Sequence, residues 1–530
     1  MSDAYIQPSQ TMSSNPLSGL TPYFTYTLLT ATIGPLLFGY HLAELNAPQD
    51  VITCQRDSIT ASTLVRFYTY FQQHNQQHAS SSLSALPQCL EMNPTQFGLV
   101  SSFFTLGGLL GALSAGPFGA KYGRLRTMLY NTAFFTVGPV LEALAPNIGT
   151  MTFGRFVSGL GAGAAVVVVP LYISETAPPK SKGFFGAFTQ IMTNVGILVA
   201  QVLGYFLSKG SLWRIILGVG GVFGALQAVM LIFGGQESPR WMADHGKPGG
   251  ARKALLRLRG PDVNIEEEVE GWGKNADEVH MEDEEDALIS GQDQSDRNSA
   301  IDADTAPVSK TATKETLTIF SILRDPTSRP ALVAVMTVMV GQQLCGINSI
   351  VMYGVSLLAD LLASNSALLN IFVAVLNIVV TTASAPLVDK LGRKPCLLAS
   401  IAGMGSSSLL LAIGITRHLP VLSGIAVLLF VSFFGLGLGP VPFILSSELV
   451  GPEAVGATQS WALAANWIAT FVVAQFFPVL SEAMGKGEVY YLFAGIALVF
   501  GLFVAWYVPE TNGKANSDEV WGRGKVGRED

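Results

Sequence analysis

Charge is what this sequence has least of. Only 13% of its 530 residues are Asp, Glu, Lys or Arg, where an ordinary soluble domain carries about 25%. That deficit excludes a chain that folds with water as its main solvent. Cysteine is scarce, at 4 residues, and histidine numbers 6. Neither falls in the close-spaced sets of a metal site, no glycine-rich loop is built to cradle phosphate, and no nucleophile stands with a base. An enzyme, a resident cofactor and a metal centre therefore lack support. The net charge of −7 gives nucleic acid no footing as a partner. Lys and Arg are missing from the first 22 residues, which argues against a cleavable secretory signal; residues 1–22 read as a short tail.

What is abundant is apolar. Hydrophobic residues make up 49% of the chain and glycine fills 55 positions, the latter suited to helices whose backbones approach closely in a bilayer. A helix needs about 20 apolar residues to cross the hydrocarbon. Six such stretches run from Phe24 to Glu44, Phe97 to Ala115, Met128 to Ala145, Met151 to Pro170, Phe185 to Leu207 and Leu212 to Gly234. Six more run from Ala331 to Leu358, Ala367 to Val388, Cys396 to Ile415, Val421 to Ser447, Ala457 to Phe477 and Tyr490 to Val508. The expectation is an all-α membrane protein of twelve transmembrane helices. A six-helix bundle spans 23–234, a polar central loop 235–330, a second bundle 331–508 and a tail 509–530.

With both termini cytoplasmic, 24 of the 31 Lys and Arg residues fall on cytoplasmic segments, as the positive-inside bias requires. Residues 262–315 are crowded with acids and poor in apolar side chains, the composition of a disordered loop. Ala251 to Leu258 reads as a short basic amphipathic helix at the surface. The loop from Asn46 to Gln96 lies on the opposite face and holds Cys54 and Cys89, a candidate disulfide on an oxidising side.

Repetition divides the chain in two. The order Gly116-Pro117-Phe118-Gly119-Ala120-Lys121-Tyr122-Gly123-Arg124 returns as Ala385-Pro386-Leu387-Val388-Asp389-Lys390-Leu391-Gly392-Arg393, at an offset of 269. Glu175 and Glu237 return as Glu448 and Glu510 at an offset of 273. The bundles are thus related repeats. Gly123 and Gly392 permit tight turns. Arg124, Arg240, Arg393 and Asp389 stand with those acids as ion pairs expected to latch the two halves at the cytoplasmic surface.

Ordered motifs carry a resemblance. Phe38-Gly39-Tyr40, Gly123-Arg124, Glu237-Ser238-Pro239-Arg240, Gln342-Gln343-Leu344-Cys345-Gly346-Ile347-Asn348, Gly392-Arg393-Lys394, Gly439-Pro440-Val441-Pro442, Asn466-Trp467 and Pro509-Glu510-Thr511 resemble the sugar porter family of the major facilitator superfamily, from Phe38 to Lys514. The resemblance implies the major facilitator fold, with a cavity near the membrane midplane between halves, open alternately to each side. It implies a sugar as cargo, a hexose first, moved by facilitation or with protons. A polyol carrier and a non-transporting sugar sensor are the alternatives.

Side-chain chemistry agrees. Gln190, Asn194, Gln201, Gln342, Gln343, Asn348, Asn377 and Asn466 lie inside apolar stretches, where an amide is costly unless partnered. A neutral amide donates and accepts, as each sugar hydroxyl does, and Trp467 and Phe443 offer an apolar wall. Gln190, Asn194 and Gln201 recur at i, i+4 and i+11 on one helical face; Gln342 and Tyr353 share a face if the seventh helix runs on past Gly346. For any single amide, bonding between helices is the alternative. The family's binding positions are matched at Gln201, Gln342, Gln343, Asn348, Asn377 and Asn466. Departures from its glucose carriers fall at Met352, Phe443, Gly435 and Cys345, where those carriers have a tyrosine, a tryptophan, an acid and a serine, and these leave the identity of the sugar open.

Proton-driven members of that family resemble one another in an Asp after Phe-Gly-Tyr, paired with an Arg opening the fourth helix. Here His41 fills the slot, the arginine is Arg155, and Glu44 stands one turn on, which makes these three the candidates for proton coupling. Glu284, followed by Leu288-Ile289, resembles an acidic dileucine signal read by a sorting adaptor, and favours a vacuolar or endosomal membrane over the cell surface.

Overall fold

Each apolar stretch becomes a helix in the computed structural model, which describes residues 21–58, 86–261, 263, 265–266, 268–269, 321–362, 365–451, 454–514 and 517–522. The first half holds α1 (Pro22–Ala43), α2 (Pro94–Tyr122), α3 (Arg124–Ala143), α4 (Ile148–Thr176), α5 (Lys182–Leu207) and α6 (Trp213–Gly234). The second holds α7 (Arg329–Leu362), α8 (Asn365–Leu391), α9 (Arg393–Thr416), α10 (Pro420–Glu448), α11 (Val455–Met484) and α12 (Glu488–Tyr507). Starts are written in the sequence. Thr21 accepts from the Phe24 N–H, Asn93 and Gln96 form a reciprocal capping box, and Asn147 accepts from Thr150, each satisfying donors the helix leaves open.

Ten of these helices are apolar enough to cross a membrane on composition alone; α1 and α3 are the other two. The reason is chemical. Thr27 and Thr30 of α1 hide their hydroxyls by donating to the carbonyls four residues back, and α3 opens on Arg124 and Arg126 and carries Glu142. Large apolar side chains face outward: Phe233 and Trp506 are each 85% exposed, a surface that lipid, not water, covers.

Several expected boundaries shift, with α4 running on to Thr176 and α11 to Met484. The second stretch was read as ending at Ala115, yet α2 continues to Tyr122, so the repeated Gly116–Arg124 motif is mostly helix and only Gly123 is a turn. At 29 residues such a helix is about 43 Å long and outruns a core of about 30 Å. The seventh helix is not continuous. It stops at Leu344 and restarts at Ile347, with Gly346 at φ +95°. A π-turn, Phe434–Leu438, likewise interrupts α10.

Within each half, glycines bring helices to backbone contact: Gly107 and Gly111 of α2 lie against the Phe156 and Leu160 carbonyls of α4, and Gly39 of α1 against the Thr193 carbonyl of α5, the small-residue packing of membrane helices. The halves meet along α2 with α11 and α5 with α8.

At the end opposite the termini they are also tied. The fully buried Asn46 donates to the Val351 carbonyl (2.8 Å) and accepts from the Val355 N–H (2.9 Å). Ser102 donates to Gln475 at 2.8 Å, and Asp360 bridges Arg56 (3.3 Å) and Lys486 (2.7 Å). Cys54 and Cys89 form a disulfide at this end, their Cα atoms 5.4 Å apart. The acidic loop expected over 262–315 falls almost entirely outside the described residues, as do Glu284, Leu288 and Ile289.

Gly123 and Gly392 sit at φ +98° and +99° with ψ 158° and 160°, a region essentially closed to side chains. Gly123→Ala or Gly392→Ala is expected to cost about 1–3 kcal/mol, read as a lower Tm in detergent; an unchanged Tm contradicts the assignment. Asn46→Ala removes two buried hydrogen bonds of about 1 kcal/mol each, so the open state of the outer end should rise roughly tenfold or more. The check is the rate at which a cysteine placed by Val351→Cys is modified from that side, and no change in rate would refute the clamp.

Candidate functional site

A cavity of about 650 Å³ lies between the halves, within the range of small-molecule sites. Its walls come from α1 (Pro35, Phe38, Leu42), α4, α5, α7, α8, α10 and α11. Ser174 near the end of α4, Ser446 near the end of α10 and Gln459 near the start of α11 line it, so it opens to the end of the bundle that carries both termini. Asn46 and its partners shut the other end.

Two amide networks face this space. In the second half, Gln342 donates to the Leu438 carbonyl, whose partner in a regular helix would be the N–H four residues on, a group that Pro442 lacks. The Gln342 Oε1 accepts from Asn466 (2.7 Å) and Gln343 (3.2 Å), and the Gln343 Oε1 accepts from Asn348 (2.6 Å). The break at Gly346 places Asn348 for that last bond. The other network joins the halves. Gln190 donates to Asn194 (3.4 Å), Asn377 of α8 donates to Asn194 (3.4 Å), and Asn194 donates to Thr381 (3.3 Å). Trp467 forms an apolar wall, edge-on to Phe38 at 5.7 Å and to Phe104 at 6.4 Å. Phe443 lines the mouth and is 41% exposed. None of the described lining residues is charged.

Two expected members are elsewhere. Gln201 is buried and outside the lining; eleven residues beyond Gln190 it shares the face but lies about 16 Å further along the axis, a turn beyond Ile197, the last α5 residue in the lining. Tyr353 sits beyond the helix break, donates to the Ala474 carbonyl (2.6 Å) and packs on Phe97 and Phe477. Thr189, Thr193, Ser446 and Gln459 line the cavity and were not singled out from sequence, since the three hydroxyls carry no distinctive pattern and Gln459 is an exposed amide at the start of α11.

At the open end, the ion pairs stay inside their own halves. Arg124 forks onto Glu175 (3.0 and 2.8 Å), and the Glu237 carboxylate takes the N–H groups of Arg124, Leu125 and Ser238. Arg393 pairs with Glu448 (2.9 Å) and with the exposed Asp389 (3.3 Å), while Glu510 takes the N–H groups of Arg393 and Lys394. Each glutamate caps the N-terminus of the helix that follows the glycine turn. Burial pushes the Glu237 carboxyl above the usual carboxylate range, against the pull of those N–H donors. Arg240 is exposed. The expected latch across the halves is therefore corrected, in this form, to two intra-half braces; sequence order repeats the residues but does not choose their partners.

A second polar cluster lies behind the cavity. Arg155 donates to Glu44 (2.5 Å) and to the His41 carbonyl (2.8 Å), and His41 Nδ1 is 3.0 Å from Glu44. Glu142 of α3, which the sequence reading passed over, lies 3.9 Å from Arg155 and accepts from Ser158 at 2.6 Å. The side chains of His41, Glu44, Glu142 and Arg155 are all at 0% exposure. An acid inside the apolar run from Met128 to Ala145 was the signal that could have found it.

Comparison with known proteins fits this geometry. The family model described as "Sugar (and other) transporter" matches residues 27–518. A probable metabolite transport protein of Saccharomyces cerevisiae is 33% identical, over 95% of this chain and 96% of its own. The facilitated glucose transporter member 2 of solute carrier family 2 from Sus scrofa is 30% identical, over 94% and 93%. Among solved structures, the inward open conformation of the xylose transporter XylE from E. coli has a TM-score of 0.70 at 21% identity, covering 94% of this chain and 99% of that one; that likeness is one of fold. The chain belongs to the sugar transporter family of the major facilitator superfamily.

Proposed function

We propose that this sugar transporter carries a neutral hexose, handed across by rocking of the two halves around the amide-lined cavity, and that its movement is coupled to protons. One observation carries the choice of cargo: the described lining of the cavity is neutral throughout, with Gln190, Asn194, Gln342, Gln343, Asn348, Asn377 and Asn466 supplying its amides. A charged metabolite entering such a site would lose its hydration with no counter-charge in return. A hydroxyl-rich neutral solute exchanges water for amide donors and acceptors at little cost. Polyols share that chemistry and are the second reading. Coupling rests on Glu44 held against Arg155 in the hydrocarbon, where an ionisable pair is functional by default.

The positive bias of the loops supports cytoplasmic termini, so the described form faces inward. The dileucine sequence at Glu284, Leu288 and Ile289 favours a vacuolar or endosomal membrane, through a sorting adaptor.

Uptake of radiolabelled hexoses and polyols into proteoliposomes tests the cargo. Asn377→Ala and Gln342→Ala should each raise the half-saturating concentration of the transported solute roughly tenfold, from one or two kcal/mol of lost hydrogen bonding. Unaltered affinity in both variants would refute the site. Leu288→Ala with Ile289→Ala should redirect the protein to the cell surface, as seen by fluorescence microscopy of a tagged chain; unchanged location refutes the signal.

A further inference from the structure

The buried cluster holds more acid than a single coupling pair requires. Glu44 and Glu142 bring two negative charges and Arg155 one positive; His41 counts as neutral, because an imidazolium would leave an N–H at its buried Nε2 with no acceptor. All four side chains are wholly inaccessible, and an uncompensated charge in such surroundings is strongly disfavoured. One proton restores neutrality. The hydrogen-bond inventory points to where it sits: Glu44 Oε2, Glu142 Oε2 and His41 Nε2 are buried and have no partner, and so are Arg155 Nε and Nη2. Unpartnered buried atoms are rare, and here five fall in one cluster.

Around Glu142, from α1 come Tyr40, whose hydroxyl donates to the Ile216 carbonyl, and His41 and Glu44. Arg155 and Ser158 come from α4. Arg214 of α6 is engaged with the Ala143 and Ala145 carbonyls, and α2 offers the Phe104 ring, 4.5 Å from the Arg155 guanidinium. Gly138 and Gly154 let α3 and α4 close on the carboxylate.

We propose that Glu142 is a working member of the proton site: Glu44 and Glu142 share one exchangeable proton across Arg155, and the route to it from the cavity is shut by the contact of Phe104 with Trp467. This rests on the proton-coupled reading above. The step is the protonation of one carboxylate oxygen, with no bond broken elsewhere. His41, Glu44 and Glu142 can bring ligand atoms within 4.8 Å of one another, but Arg155 already supplies the cation there. The Phe104 ring stands between Arg155 and Trp467. Trp467 belongs to the other half and lines the cavity, so rocking of the halves that separates the two rings opens the cluster to the cavity. Sugar and proton then respond to the same movement.

A shared proton has a signature that independent carboxyls lack. Infrared spectroscopy of the purified full-length protein at neutral pH should show a carboxylic-acid C=O band that vanishes in Glu142→Gln and equally in Glu44→Gln, since either change leaves one carboxylate balanced by Arg155. Two bands lost separately, or a band that survives Glu142→Gln, overturns the proposal, and this readout needs no sugar. In proteoliposomes, the ratio of pH-driven accumulation of D-glucose to its exchange without a gradient should fall at least tenfold in Glu142→Gln. Ser158→Ala, which removes the donor favouring the ionised carboxylate, should move the pH midpoint of accumulation upward. A wild-type band with accumulation that follows sodium, or with none at all, removes the coupling reading and leaves sugar exchange standing.

Discussion

A polar group inside a bilayer must find a partner or leave, and this constraint organises the whole molecule. Water is absent from the hydrocarbon, so each unsatisfied donor or acceptor costs free energy that no outward-facing surface can recover. Threonines of α1 bond back onto their own helix. Amides instead bond one another around a space between the halves, where a solute can replace them. Glu44, Glu142 and Arg155 cannot be neutralised by position alone and collect in one buried cluster.

The same constraint explains why the irregular backbone lies where it does. Helix α7 breaks at Gly346 and α10 loosens into a π-turn at Phe434–Leu438, and both interruptions border the cavity. The carbonyl of Leu438 is met by Gln342. That amide in turn accepts from Asn466, so the defect in one helix orients a residue on another. Closure at the far end follows similar logic. Asn46 engages the Val351 carbonyl and the Val355 N–H of α7 beyond its break, two groups four residues apart in the helix, and so bonds one half to the backbone of the other.

Much of this was legible beforehand, and what was not has physical causes. Twelve spans and two repeats follow from long apolar runs and from landmarks at nearly constant offset, signals that survive any uncertainty in side-chain placement. The cavity-lining amides on α7, α8 and α11 were legible because a buried amide stands out from its neighbours. Depth was not. Helical periodicity gave Gln201 the right face but not its distance from the cavity, and the turn at Gly346 carried Tyr353 out of register with Gln342. Partner choice was not legible either: Arg124 and Arg393 brace their own halves through Glu175 and Glu448, while Glu237 and Glu510 cap the helices that follow the glycine turns, a tertiary fact. Glu142 was plain in the sequence but gained meaning only when α3 was seen beside α1 and α4.

The central claim is that an uncharged, amide-lined cavity selects a neutral, hydroxyl-rich solute. Isothermal titration of the purified protein with D-glucose and with its 6-phosphate tests it most directly. The account predicts that the neutral sugar binds and that the phosphate, alike in every ring hydroxyl but charged, binds at least a hundredfold more weakly. Equal affinity for the two, or preference for the phosphate, would contradict it.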